Sequence, residues 1–243
     1  MIRRALEYLI PQKKTHIRVD MHSHIIPNFD DGSKSLEESL AIIQTLISLG
    51  YEKIITTPHV RKHIYEFNSS EILEVLESLK KALEHENIDI ELEVAAEYYL
   101  DEGLLKKVSE NDILTIGGKY LLFETSLFAS PLYLLEAIYE MKLQGYIPIL
   151  AHPERYHYIK NHKKTFSELK EEGVLFQLDI NSLGGYYGKR SKKIAHLLAK
   201  WRMIDFVGSD LHNSKQASYL STIIASNYYQ KILQTNPIKN NLL

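Results

Sequence analysis

The 243-residue chain contains no cysteine. That absence excludes a thiolate nucleophile, a disulfide framework, thiolate zinc sites and iron–sulfur clusters. Any metal must then be held by nitrogen and oxygen. Surplus charge is missing as well: 29 Lys+Arg stand against 31 Asp+Glu, a formal net charge of −2. This balance gives no electrostatic case for nucleic acid or an anionic membrane as partner. Apolar runs are short, and none approaches the ~18 residues needed to span a bilayer. At the N-terminus, Arg3 and Arg4 precede an apolar patch broken by Glu7 and Pro11. Residues 1–16 therefore read as an extension, a short helix packing on the domain or a partner, and not as a signal peptide. The cytoplasm is the expected location.

What is present suits one large α/β domain. The chain is 44% hydrophobic with 16 Tyr, enough for a sizeable core at this length. Apolar strand patterns fall at Ile17–Met21, Lys53–Thr57, Glu91–Ala96, Tyr120–Glu124, Ile147–Ala151, Val174–Ile180 and Ile204–Gly208. Helical patterns lie between them at Ser35–Leu49, Ser69–Glu86, Pro131–Gln144, Lys163–Glu172 and Lys189–Trp201, with a last one near Gln216–Leu233. Leu100–Lys119 carries only a brief helical pattern. Ser35 with Glu38 reads as a capping box, and Gly50, Gly145 and Gly173 as helix stops. Alternation of strand and helix implies a mainly parallel sheet. Seven strands without a linker predict a closed or nearly closed barrel over residues 17–234, with 235–243 as a frayed tail.

Potential metal ligands stand at the C-terminal ends of these strands, the face where barrel active sites lie. The first strand leads into His22 and His24, two apart and so on one face, with Asp31 in the following loop. The second ends in Thr57-Pro58-His59, the third in Glu97 and the fourth in Glu124. The fifth gives His152-Pro153-Glu154-Arg155, and the seventh Ser209-Asp210-Leu211-His212. Each alone has an ordinary explanation: His59 and His152 as hydrogen-bonded loop residues, Asp31 in a turn, Asp210 as a helix cap. Their collection at one end of one barrel argues for a site of imidazoles and carboxylates, as a divalent metal requires.

The motifs His-Ser-His, Ile-Pro-x-x-Asp-Asp-Gly, Thr-Pro-His, Glu-Tyr-Tyr-Leu, His-Pro-Glu-Arg-Tyr and Ser-Asp-x-His run in this order from His22 to His212. In this the chain resembles the polymerase-and-histidinol-phosphatase (PHP) superfamily. More narrowly, it is similar to the bacterial manganese-dependent protein-tyrosine phosphatases found with capsule and exopolysaccharide biosynthesis systems. The resemblance implies a distorted seven-stranded (β/α)7 TIM-like barrel of the PHP fold. It also implies three divalent metal ions, manganese by resemblance, although iron, zinc or magnesium fit such ligands equally. His22, His24, Glu97 and Asp210 would hold one ion. Glu97 would bridge to a second with Glu124 and His152, while Asp31, His59 and His212 would complete the third. Asp20 and Glu154 match motif positions without being ligands; Glu154 is expected to buttress one.

Four carboxylates against three such ions leave about +2, attractive to a phosphate dianion. A metal lowers the pKa of bound water toward ~7, so a hydroxide nucleophile needs no covalent enzyme intermediate. Arg155 is the expected catalytic residue, forking hydrogen bonds to phosphoryl oxygens. The Gly-rich Asn181–Gly188 reads as a flexible loop at the substrate entrance, and Arg61-Lys62-His63 as a basic run that could meet an acidic phosphopeptide. The implied substrate is a phosphotyrosine protein, the tyrosine-rich tail of a cytoplasmic bacterial tyrosine kinase controlling polysaccharide export. The alternatives are a small-molecule phosphatase of histidinol-phosphate type, or a metal-holding module that binds the kinase without hydrolysis. A nuclease fits the neutral charge poorly.

Overall fold

The computed structural model describes residues 15–243; the helix expected within 1–16 lies almost wholly outside them. The chain alternates as the apolar spacing predicts. It opens with β1 (Val19–Asp20), α1 (Leu36–Ser48), β2 (Lys53–Thr56), β3 (His59–Val60), α2 (Ser69–His85), β4 (Glu91–Val94), β5 (Glu97–Tyr99) and α3 (Glu102–Glu110). Then come β6 (Tyr120–Glu124), α4 (Leu134–Leu143), β7 (Ile147–Ala151), a 3-10 turn at Pro153–Arg155, α5 (His162–Glu171) and β8 (Leu175–Asp179). The chain continues with α6 (Ile180–Gly184), α7 (Gly188–Trp201), β9 (Phe206–Gly208), α8 (Ser214–Ile224), α9 (Asn227–Thr235) and a 3-10 turn at Asn240–Leu242.

All ladder pairs are parallel. They form a three-stranded sheet, β1-β2-β4, and a six-stranded one, β3-β5-β6-β7-β8-β9. Where the sequence pattern predicts seven strands, the described residues form nine strand segments in these two sheets. The expected strands Lys53–Thr57 and Glu91–Ala96 are observed as β2 and β4, and after breaks at Thr57-Pro58 and Ala95-Ala96 each run resumes beyond its expected end, as β3 and β5 in the other sheet. The reason at the first break is proline, which has no N–H for a ladder; it still accepts a bond from Glu97 N through its carbonyl at 3.1 Å. Between the first and last strands, Asp210 N donates to His22 O at 2.8 Å and His24 N to Leu211 O at 2.9 Å. The sheets thus curl toward each other around a small apolar interior of Val19, Met21, Ile55, Leu122, Ile149 and Phe206. A larger cluster lies beneath the helices, where α1 buries Ile42, Ile43 and Leu46.

The helix signals hold with two refinements. Ser35 Oγ accepts from Glu38 N at 3.3 Å, but the Glu38 carboxylate accepts from Lys34 N, so this box is only half formed. The complete one caps α2, between Asn68 and Glu71. The last expected helix is two, parted by the Ser226 cap of α9. The C-terminal segment is not frayed. Buried Asn240 donates to Val19 O (3.0 Å) and Val207 O (2.7 Å) and accepts from Val207 N (3.0 Å), tying β1 to β9 at the end away from the histidines. Leu243 packs against the interior cluster beside it.

Candidate metal centre

The histidines and carboxylates named from the strand ends meet at one rim. His22 and His24 approach through their Nε2 atoms at 3.2 Å. Glu97 Oε2 stands 3.2 Å from His22 Nε2 and 3.3 Å from His24 Nε2, and Asp210 Oδ1 stands at the same two distances. Around them, one group of donor atoms gathers from His22, His24, Glu97 and Asp210, a second from His59, Glu97 and Glu124, and a third from His24, Asp31, His59 and His212, each within 4.8 Å. His152 borders the second group: its Nε2 is 2.9 Å from Glu97 Oε1 and 3.9 Å from Glu124 Oε2. His24 and Glu97 thus link the groups.

The donor set fits divalent cations better than it fits itself. Among the described residues, Glu97 Oε2 and Asp210 Oδ1 are buried without an aligned hydrogen-bond donor, although imidazole nitrogens surround them. Buried carboxylate oxygens left so are costly, and aiming them with imidazole lone pairs at shared points is what coordination demands. The electrostatics agree. Burial works against charging His22, yet Glu97 and Asp210 hold it well above its ordinary value. His24 is likewise raised against burial, by Asp30 and Asp210. Burial and then the charge of Glu97 push Glu124 up to about 8. Without a cation, protons must fill the cluster.

Two of the candidate ligands hold backbone that non-glycine residues rarely adopt: His152 at φ 34° and Asp210 at φ 47°. Left-handed residues of this kind cost about 1–3 kcal/mol each and persist where surroundings impose them. Here the turn after each strand swings the side chain back over the rim. Gly208 explains part of the fit, since a Cβ there would meet Gln177 Nε2 at 2.6 Å and His22 Cβ at 2.7 Å.

Several supporting residues escaped sequence reading. Asp30 Oδ2 accepts from His24 Nδ1 (2.8 Å) and from His59 N (2.9 Å), leaving His24 Nε2 to face the cluster. Gln177 Oε1 does the same for His22 Nδ1 at 2.9 Å. The pair Asp30-Asp31 carried a signal, but not which of the two turns inward; Asp30 has a side chain 1% exposed, Asp31 one 56% exposed. Gln177 lies mid-strand and carried none. Asp20 accepts from Ser209 N (2.9 Å) and Ser209 Oγ (2.6 Å), fixing the turn before Asp210. Glu154 buttresses no ligand directly: its Oε1 accepts from Asp179 N at 3.1 Å.

Arg155 borders the same site. Its guanidinium donates to Asp210 Oδ2 at 2.5 Å and lies over the Tyr187 ring, 4.2 Å from its centroid. Asn181–Gly188 is therefore not an open loop. Asp179 caps α6 by accepting from Asn181 N at 2.7 Å, and the turn after it delivers Tyr187 beneath Arg155. Above the cluster opens a cavity of about 400 Å³, bordered by Arg61, Tyr65, Thr125, Leu127, Phe128 and Arg155.

The chain is similar to known proteins. Residues 18–240 match the family model described as capsular polysaccharide synthesis, CpsB/CapC. The chain is 30% identical over 202 residues to the tyrosine-protein phosphatase YwqE of Bacillus subtilis, covering 83% of this chain and 80% of that protein. It is 31% identical over 199 residues to the putative tyrosine-protein phosphatase CapC of Staphylococcus aureus, 80% and 77% covered. Among solved structures, one from the pair of Bacillus subtilis YwqE and Streptococcus pneumoniae CpsB, described as unique metal-dependent tyrosine phosphatases, superposes with a TM-score of 0.79. That match is at 27% identity over 93% of each chain. Histidinol phosphate phosphatase of Lactococcus lactis, at TM-score 0.53 and 13% identity over 89% of this chain and 94% of that one, shares the fold. With the family model spanning β1 to the final turn, the chain belongs to the CpsB/CapC family of capsular polysaccharide synthesis.

Proposed function

We propose that this chain is a metal-dependent protein-tyrosine phosphatase, acting on a bacterial tyrosine kinase of capsule or exopolysaccharide synthesis. One observation carries the reading: overlapping groups of imidazoles and carboxylates, fully buried in the group of His22, His24, Glu97 and Asp210, sit at the floor of an open cavity with a guanidinium beside them. The named activity of YwqE and CpsB supports it. The three donor groups support three ions, and their nitrogen and oxygen composition is compatible with manganese. The proposed holders are His22, His24, Asp31, His59, Glu97, Glu124, His152, Asp210 and His212. Divalent ions held there supply Lewis acidity toward phosphoryl oxygens and lower the pKa of water to near neutrality.

The chain's own residues do the rest. Arg155 keeps its positive charge, for although burial opposes it, Asp210 more than compensates. Tied to Asp210 and laid on Tyr187, it is held ready to donate to phosphoryl oxygens with little ordering cost. Asp30 and Gln177 orient His24 and His22 through their outer nitrogens. A phenolate leaves readily, so phosphotyrosine demands less of a general acid than an alkyl phosphate does.

Counting each broken run once, the ladder segments are consistent with a distorted seven-stranded PHP-type barrel over 17–234, after an N-terminal extension. No helix among the described residues is long and apolar enough to cross a membrane; a cytoplasmic site of action follows from the proposed substrate. The test is metal-loaded protein offered a phosphotyrosyl peptide and, separately, histidinol phosphate. Faster turnover of the peptide is expected; preference for histidinol phosphate would overturn the assignment.

A further inference from the structure

Arg61 stands on the cavity wall without a role in the chemistry above. Its neighbours in the basic run are occupied: Lys62 pairs with Glu102 at 2.7 Å and His63 with Glu66 at 3.5 Å. Arg61 has no carboxylate within 4.0 Å among the described residues, yet its guanidinium is fixed over the Tyr99 ring, 4.0 Å from the centroid. The backbone is fixed too. Arg61 N donates to Tyr65 O (3.0 Å) and Tyr65 N to Arg61 O (2.8 Å), closing the 61–65 turn. Tyr65 in turn stacks on the His59 ring at 6.0 Å. An unpaired arginine, preorganised by an aromatic platform beside an open cavity, is a receptor for an anion outside the cluster.

We infer that Arg61 recognises a second anionic side chain, an aspartate or glutamate flanking the phosphotyrosine on the same substrate polypeptide. This rests on the phosphatase reading and deepens it. The cluster and Arg155 hold the phosphate; Arg61, on the wall of the same cavity, sets preference among peptides. A partly exposed ion pair of this kind is worth roughly fivefold in kcat/KM.

The test compares two phosphotyrosyl peptides, one with glutamates on both flanks and one with glutamines, across the metal-loaded wild type, Arg61→Ala and Arg61→Lys. Wild type should favour the acidic peptide about fivefold, mainly through KM and less so at high salt. Arg61→Ala should bring the ratio to about one, and Arg61→Lys should restore part of it. Equal turnover of both peptides by wild type overturns the Arg61 inference alone. An Arg61→Ala variant that slows both peptides equally also overturns it, since the arginine would then serve the phosphate or the fold. No turnover of either peptide by wild type overturns the phosphatase reading itself, and this inference with it.

Discussion

Asp30→Asn probes the centre without touching a proposed ligand or changing side-chain size. Asp30 uses both oxygens: Oδ2 accepts from His24 Nδ1 and His59 N at 2.8 and 2.9 Å, and Oδ1 from Gly32 N at 2.9 Å. Asparagine has one carbonyl oxygen. Turned toward His24 and His59, it sets its NH2 against the Gly32 N–H; flipped, it sets the NH2 against two donors. The better orientation loses one buried hydrogen bond, ~1–3 kcal/mol, so Tm should fall by roughly 2–12 °C for a domain of this size. The lost charge also weakens the hold on His24 Nδ1 and the basicity of Nε2. Outer partners of this kind are worth about 10–100-fold in metal affinity, or ~1.4–2.7 kcal/mol. Calorimetric titration of chelator-treated protein with Mn2+, beside thermal melts, measures both effects. Kd should rise by that factor, with activity recovering toward wild type at saturating metal. Metal binding within about twofold of wild type despite a lowered Tm would refute the view that Asp30 acts through His24.

Other expectations follow from the same geometry. His22→Ala or Asp210→Asn should lose metal, by elemental analysis, and phosphotyrosyl-peptide activity together; full activity in either variant counts against the cluster. Arg155→Ala should keep the metal content and lower kcat by about 100-fold or more; a change below threefold would remove it from the mechanism. Because His22 and His24 are held above their ordinary values without metal, a cation must displace their protons. Apparent metal affinity should therefore fall as pH falls, up to about tenfold per pH unit for each proton displaced, and a flat affinity between about pH 6 and 8 would contradict this. Asn240→Ala removes the tie between β1 and β9. It should lower Tm by several degrees, about 1–3 kcal/mol, with kcat/KM unchanged; an unaltered Tm would mean the C-terminal turn does not hold the strands.

Much of the site was legible because most candidate ligands stand at or just after the end of an apolar run, and parallel strand–helix alternation sends all run ends to one face. Strand-end position thus brought His22, His24, Glu97 and Asp210 to one face, the resemblance implied their grouping around one ion, and the missing cysteine left only nitrogen and oxygen for them. The rest depended on contacts distant in sequence. The strands β3 and β5 beyond Thr57-Pro58 and Ala95-Ala96 were not legible because local pattern does not tell which neighbour so short a segment will pair with. Asn240 looked like a tail residue, since its partners Val19 and Val207 lie far along the chain. Asp30 and Asp31 are chemically identical, and only the packing of the loop on Gly32 and His59 turned one inward and left the other at the rim. The sequence by itself determined the ligand chemistry and the face on which it collects. Tertiary structure alone decided which carboxylate orients a histidine, which arginine is tied and which is free, because those outcomes depend on where side chains from separate strands meet.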